Sequence, residues 1–555
     1  MRAQASRSRV LCAAAVLLLP AASASAQFTE PPPPAAYALR NVTLVAPDGA
    51  RSAGVTLVVR GEFIEALGPG VAVPADARLL DGDSLFVYPG LVDAHGTVEH
   101  AIPPDSIDRR AVKSWNPTRE AQGFRPHRRI ADFVTATGRE TAALRRKGVV
   151  AVGLHPTEGL MPGQGALLLL RADAASSTGL ILDPALGPVF TLRGGRGFYP
   201  STVMGAIAFF RQTFLDAHRH NRIAQAAQSD ARAGLPAFDR DYAAVSQVVG
   251  GGTPVWFIAS TSDQIRQALR LAAELDFRPI IVGGAEAWKV ADELAAADVP
   301  VLVSLEFTEP RRWKPETKDS SSTEAAVLHE RRALEDEYRN AGRLAAAGVR
   351  FALTSNGGKA ELIEQTRTAI RYGLDEAAAL RALTATPATL LGAPALARVQ
   401  AGMPANFVVT SGPLFDEGTR VRYTFVAGAL EEGAAAGARR STAADSAGMA
   451  QVAGTWTVEV QSPQGAQPST LTLTQDGTAI SGTMDSELGS APVSGTVEGG
   501  TIEFSVTINI GGQSMTIEFS GDVDGDSASG TATMPMMGNT TWTARRTAPG
   551  TEDAQ

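Results

Sequence analysis

Residues 85–100 read LFVYPGLVDAHGTVEH. An apolar run ends at Tyr88-Pro89-Gly90, a second short run follows, and then comes Asp93-Ala94-His95. That order predicts a buried strand whose C-terminal end presents a polar cluster. In a (β/α) barrel the C-terminal strand ends carry the chemistry, so Asp93, His95, Glu99 and His100 mark where a site would open.

Strand-like and helical segments alternate downstream, which predicts a TIM (β/α)8 barrel over residues 89–401. The expected strands are 85–92, 149–154, 166–171, 188–192, 254–259, 279–282, 299–304 and 350–354. Helical patterns fall at 139–147, 202–228, 262–275, 285–297, 323–347, 359–372 and 376–383. Short alternating strands occupy residues 37–88 and return at 402–430, which predicts a small composite β-sandwich built from both flanks. Residues 431–452 are rich in Ala, Gly and Ser and read as a linker. From 453 to 546, Thr, Val and Ile dominate and turns such as Gln475-Asp476-Gly477 and Asp524-Gly525-Asp526 recur. A C-terminal all-β meander or barrel is expected there, with Trp456 and Trp542 near its two ends. Residues 547–555 form a tail.

The chain of 555 residues is 44% hydrophobic and 19% charged, as a globular protein with several cores requires. Its net charge of -8 argues against a nucleic-acid partner, which needs a basic surface. Residues 1–26 carry Arg2, Arg7 and Arg9, then an apolar run too short to span a bilayer, then Ala24-Ser25-Ala26. This is the order of a secretory signal, so a periplasmic or secreted protein is expected. A Pro-rich leader follows at 27–36. The single cysteine, Cys12, lies inside the signal, which leaves no disulfide or thiol chemistry beyond it. No later stretch predicts a transmembrane helix.

From residue 37 to about 430 the chain resembles the amidohydrolase superfamily, of the imidazolonepropionase-related type. The resemblance rests on Pro89-Gly90-Leu91-Val92-Asp93 with His95, on residues 144–149 and on Gly159-Leu160-Met161-Pro162-Gly163-Gln164-Gly165-Ala166. Residues 199–217, 378–391 and 402–407 extend it. It is most similar to the metal-ligand-poor N-terminal half of secreted tandem amidohydrolases. The resemblance implies hydrolysis of non-peptide C–N bonds in amides or cyclic amides, with Zn²⁺ as the metal that activates water. It also implies an active amidohydrolase subunit as a partner.

The implied ligands are two histidines after strand 1, a Lys or Glu after strand 4, one His each after strands 5 and 6, and an Asp after strand 8. Here His95 stands at the first position and Thr97 at the second. No lysine lies between Lys147 and Lys289. Residues 255–261 read VWFIAST and 280–284 read IIVGG, without histidine. Asn356 stands at the Asp position. An amide is no general base and a weaker ligand than a carboxylate. A migrated metal site would use His95, Glu99 and His100, with His155 from the end of strand 2. The competing expectation is that His95 is a polar remnant and that Glu99 and His100 lie on a solvated loop.

Other candidates read more simply as structure. His218 and His220 sit two apart, which on a helix puts them on different faces. Glu158 and Gln164 follow a strand, where a loop cap or a substrate contact is expected. Asp522, Asp524 and Asp526 mimic a calcium loop, but Ser527 and Thr533 occupy the positions where that loop needs Gly and Glu, so a hairpin turn is expected. Thr354 and Ser355 have no histidine beside them in motif terms. Three functions remain open: a hydrolase with residual or altered metal chemistry, a pseudo-enzyme binding a small molecule or a partner, and a C-terminal barrel serving as a binding or anchoring module.

Overall fold

The computed structural model describes residues 36–103, 107–108, 110, 112–193, 199–230, 232, 234–235, 237–307, 332 and 334–433 of the first part of the chain. In the last part it describes residues 451–462, 465–477, 479–486, 489–498, 501–510, 513–534 and 538–546. The signal, nearly all of the Pro-rich leader, most of the linker and the tail expected from the sequence lie outside these residues, as does the start of the helical pattern at 323–347. The chain divides into two compact units, 1–440 and 441–555.

The first unit opens with β1 (Ala36–Val45), β2 (Arg51–Arg60), β3 (Phe63–Pro69), β4 (Ala77–Asp81) and β5 (Phe86–Pro89). It then enters β6 (Leu91–Asp93), β7 (Val149–Leu154), β8 (Gly163–Leu169), β9 (Ile181–Thr191), β10 (Val255–Ala259), β11 (Pro279–Gly283), β12 (Val301–Ser304) and β13 (Phe351–Thr354). It returns through β14 (Phe407–Thr410), β15 (Val421–Val426) and β16 (Ala429–Glu432). Strands from the two flanks form one sheet in the order β16-β15-β14-β5-β1-β2-β3, with β4 on β1. Its buried face carries Leu39, Leu57, Ile64, Val87, Phe407 and Phe425. The rings of Phe407 and Phe425 stack at 4.5 Å.

Gly90 carries the chain from this sheet into the next. A Cβ there would stand 2.3 Å from Val150 Cγ1, so no other residue fits the crossing. The second sheet runs β6 to β13 in chain order. From β9 to β13 all pairings are parallel. β10 and β11 are almost wholly buried, as strands covered on both faces must be. The expected uniform parallel barrel is corrected at one strand, β8, which is antiparallel to both β7 and β9. Only residues 155–162 separate β7 from β8, and a parallel crossover needs about a dozen residues or more. Reversing β8 places its first residues, Gly163-Gln164-Gly165, beside the C-terminal ends of its neighbours.

Helices cover this sheet within the stretches where the 3.6-residue period predicts them, with one at Arg240–Ser246 that the period did not mark. Helix α1 is Ala142–Arg146, α2 is Val203–Ser229, α3 is Arg240–Ser246, α4 is Ser262–Leu275 and α5 is Ala291–Ala296. Thr261 and Gln264 close a capping box at the start of α4. Among the described residues no helix is long and apolar enough to cross a membrane.

Arg145 of α1 ties the two sheets together. Its side chain is almost fully buried and pairs with Glu431 of β16 at 2.8 Å. Nη1 also donates to Gly138 O at 2.7 Å and to Thr141 Oγ1 at 2.8 Å. Glu431→Gln keeps the shape and removes the charge. It is expected to lower the unfolding free energy by about 1–3 kcal/mol, read as a reduced urea midpoint. A midpoint equal to wild type would show that the pair adds nothing to folding.

The second unit is a closed barrel of β17 (Gly454–Ser462), β18 (Gly465–Asp476), β19 (Ala479–Ser486), β20 (Gly489–Glu498), β21 (Thr501–Ile510), β22 (Gln513–Asp524), β23 (Ser527–Met534) and β24 (Gly538–Arg546). Every neighbour is antiparallel and β24 returns to β17. The strand β20, GSAPVSGTVE, carries little strand pattern in sequence, because its Gly, Pro and Ser residues mask the alternation of Ala491, Val493 and Val497 inward. Trp542 lies edge-on to the stacked Phe504 and Phe519 at 5.7 and 5.9 Å. The Arg546 guanidinium covers Trp456 at 4.5 Å. Asp524 pairs with Ser527 across a hairpin, so the calcium-like run is a turn.

Candidate functional site

Asp93 ends β6 and is fully buried. Its carboxylate accepts the Ser355 hydroxyl, the Ser355 N–H at 3.1 Å and the His95 N–H at 3.3 Å. The Gly357 N–H donates to His95 O at 2.8 Å. These bonds join the end of β6 to the residues after β13, so the first and last strands of the sheet meet at their C-terminal ends. Burial pushes the Asp93 carboxyl above its usual range, and the donors pull it back only in part.

His95 follows, and its ring lies 5.4 Å from that of His155, the residue after β7. Both are buried. His155 packs on Trp256 of β10 at 4.5 Å. Gly165 of the reversed β8 makes room for it, since a Cβ there would stand 2.9 Å from His155 Cδ2. Neither nitrogen of His155, nor Nδ1 of His95, has a hydrogen-bond partner among the described residues. Burial lowers the His95 pKa to about 4, with the Lys359 charge adding to the effect. Burial also holds His155 well below the ordinary value, and His95 adds to that. Both imidazoles are therefore neutral at pH 7.

The long connection after β6 arches over these rings. It is held by Gln164, whose Nε2 donates to Pro126 O at 3.0 Å and whose N–H donates to Arg128 O at 2.7 Å. Arg128 returns the contact from Nε and Nη2 to Pro162 O at 3.1 and 3.0 Å. On the outer side, Arg119 reaches Asp239 at 2.8 Å, and His127 Nδ1 lies 2.5 Å from Asp241 of α3. A cavity of about 540 Å³ is left beneath, walled by His95, His100, His155, Arg128, Glu158 and Lys359 among others.

The sequence-derived candidates thus separate. His95, His155 and His100 reach one cavity. His100 Nδ1 is already hydrogen-bonded to Val98 O at 2.8 Å. Glu99 is exposed and is not part of the cavity wall; its backbone carbonyl accepts from Thr135 and Ala136. Asn356 Nδ2 donates to Glu306 Oε2 at 2.6 Å, and Lys359 approaches the same carboxylate at 3.3 Å. Thr97 lies against the loop after β13, with only 2.8 Å between its Cγ2 and the place of a Cβ on Gly358. His220 Nε2 bonds Ala237 O at 3.1 Å on the outer surface, far from metal chemistry. Sequence reasoning missed Arg128, Lys359 and Trp256. None sits in a polar motif: Arg128 comes from the connection after β6, Trp256 from β10 and Lys359 from beyond β13, and only the folded sheet brings them to the histidines.

Among the described residues, no group of three or more His, Cys, Asp or Glu side chains is arranged to hold a metal ion. Two imidazoles without a converging carboxylate fall short of the three protein ligands a catalytic zinc takes. The residues present therefore do not fit that metal.

Residues 246–438 match the amidohydrolase family model. No curated protein matches the chain. Among solved structures it is similar to an amidohydrolase from Thermotoga maritima MSB8, with 24% identity and a TM-score of 0.57 over 71% of this chain and 99% of that one. A prolidase complexed with N-methylphosphonate-L-proline aligns at 18% identity and a TM-score of 0.41, over 72% of this chain and 99% of that one. A β-aspartyl dipeptidase from Fervidobacterium islandicum AW-1 aligns at 11% identity and a TM-score of 0.37, over 72% and 97%. The first of these likenesses establishes an amidohydrolase fold for the first unit.

Proposed function

We propose that this amidohydrolase-type unit is a pseudo-enzyme of the imidazolonepropionase-related branch, binding a small organic molecule where its relatives hydrolyse one. The observation that carries the reading is the buried pair His95 and His155 on the wall of a cavity of about 540 Å³, where both nitrogens of His155 and Nδ1 of His95 have no partner and no group of three metal-holding side chains is found among the described residues. Hydrolysis of an amide needs an activated water. Without a metal, that water needs a general base near it. Asn356 cannot take a proton, Asp93 is occupied by three donors, and burial makes both imidazoles weak bases, which leaves Glu158 as the one carboxylate of the cavity wall. A concave, partly apolar cavity of a few hundred Å³ with a few converging polar atoms suits a ligand. The leader-like residues 1–26 support a periplasmic or secreted setting for that binding.

The test is metal analysis of the purified full chain after incubation with Zn²⁺ or Mn²⁺. Well under one ion per chain is expected, with no amide hydrolysis above background. Near-stoichiometric Zn²⁺ that disappears in His95→Ala would overturn the reading.

A further inference from the structure

We propose that His95 and His155 hold a single Cu(I) ion between them, as a two-coordinate bis-imidazole site. Zinc does not fit this pair, because a catalytic zinc takes three protein ligands and no third His, Cys, Asp or Glu joins the two rings among the described residues. The same shortage favours a closed-shell monovalent ion. Cu(I) is satisfied by two donors, and copper accepts imidazole nitrogen. Desolvation points the same way. The Born cost of burying an ion rises with the square of its charge, so a monovalent ion costs about a quarter as much as a divalent one.

The two rings are prepared as ligands. A metal-binding imidazole must be unprotonated, and burial keeps both rings neutral at pH 7. Both nitrogens of His155 and Nδ1 of His95 lack a partner among the described residues, so a donor can be offered without breaking a hydrogen bond. The ring centres lie 5.4 Å apart. An ion bound to both rings in a straight line would set the centres roughly 6 Å apart, from two bonds of about 2 Å and the two ring radii, and a bend at the ion shortens that. Lys359, whose charge reaches His95, is itself paired with Glu306 at 3.3 Å, which tempers its repulsion of a bound cation. Copper on one nitrogen of a ring leaves an N–H on the other, free to meet an organic ligand in the rest of the cavity. A two-coordinate monovalent ion activates water poorly, so this site goes beyond the pseudo-enzyme reading without restoring hydrolysis.

The full chain, stripped of metal and kept anaerobic with ascorbate, is titrated with Cu(I) held by the chromogenic chelator bicinchoninate. One Cu(I) per chain is expected to leave the chelator, and an excess of Zn²⁺ should not displace it. His95→Phe and His155→Phe should each weaken retention by at least about tenfold. X-ray absorption at the copper edge of the wild-type complex should show two nitrogen neighbours and the intense pre-edge feature of two-coordinate Cu(I). That spectrum needs no variant, so a substitution that merely misfolds cannot decide the result. No transfer of Cu(I) from the chelator overturns the proposal and leaves the organic-ligand reading standing. Retention equal to wild type in either variant places the ion elsewhere and overturns it. Three or more copper neighbours in the absorption spectrum overturn it as well.

Discussion

Asp93→Ala is expected to lower the unfolding free energy by on the order of 4 kcal/mol. Three donors lose their acceptor at once: the Ser355 hydroxyl and the N–H groups of Ser355 and His95. All three bonds are buried, so each lost acceptor carries much of its desolvation cost. The contact also holds the first strand of the sheet to the segment after the last, so its loss should loosen the strand ends around His95 as well. Asp93→Asn keeps one acceptor oxygen and is expected to cost about half as much. Urea unfolding of the two variants beside wild type, followed by near-UV circular dichroism, measures both. An alanine variant within about 1 kcal/mol of wild type would show that the bridge contributes no more than an ordinary hydrogen bond.

Acidification should destabilise the first unit through the two histidines. His95 titrates near 4 in the folded chain against an ordinary 6.5. Below about pH 6.5 the unfolded chain takes up a proton that the folded ring refuses until about pH 4. The unfolded state therefore binds more protons across that window, and stability falls as the pH falls through it. For His95 alone the loss by pH 4 is about 3 kcal/mol. His155 acts in the same direction. Asp93 acts in the opposite one, because its raised pKa lets the folded chain take a proton more readily than the unfolded chain. Arg128, Lys359, Glu158 and His100 face the same cavity, and of these the Lys359 charge adds to the lowering of His95. The difference between wild type and His95→Gln in unfolding free energy at pH 7, 6, 5 and 4 isolates the His95 contribution. Parallel curves across that range would show that burial does not hold this ring neutral.

Much of the fold was legible because its signals are local. The apolar run ending at Asp93 marks strand structure, but the single strand expected at 85–92 is two, split at Gly90: β5 joins the flanking sheet and only β6 enters the second. The period of residues 262–275 and 376–383 marks helices at the residues where they occur. The direction of β8 was not legible. Its residues are as apolar as those of a parallel strand, and only the shortness of the link from β7 betrays the reversal. β20 was hidden for the opposite reason, since its small and polar residues dilute an alternation that barrel closure then imposes.

For the site, the sequence by itself determined which residue types stand where the family resemblance points: Thr97, residues 255–261 and 280–284 without a histidine, and Asn356. Residue identity decides that, because no packing turns an amide or a methyl group into a base or a metal donor. It also determined that His95 would stand at a strand end. Tertiary structure alone decided what surrounds it. His155 arrives from the next strand, Gly165 from a reversed one, Arg128 from a loop arching overhead and Lys359 from beyond the last strand. Contacts between residues so far apart in sequence leave no periodic trace. The same burial that gathers them also desolvates the two imidazoles and leaves three of their nitrogens without a partner among the described residues.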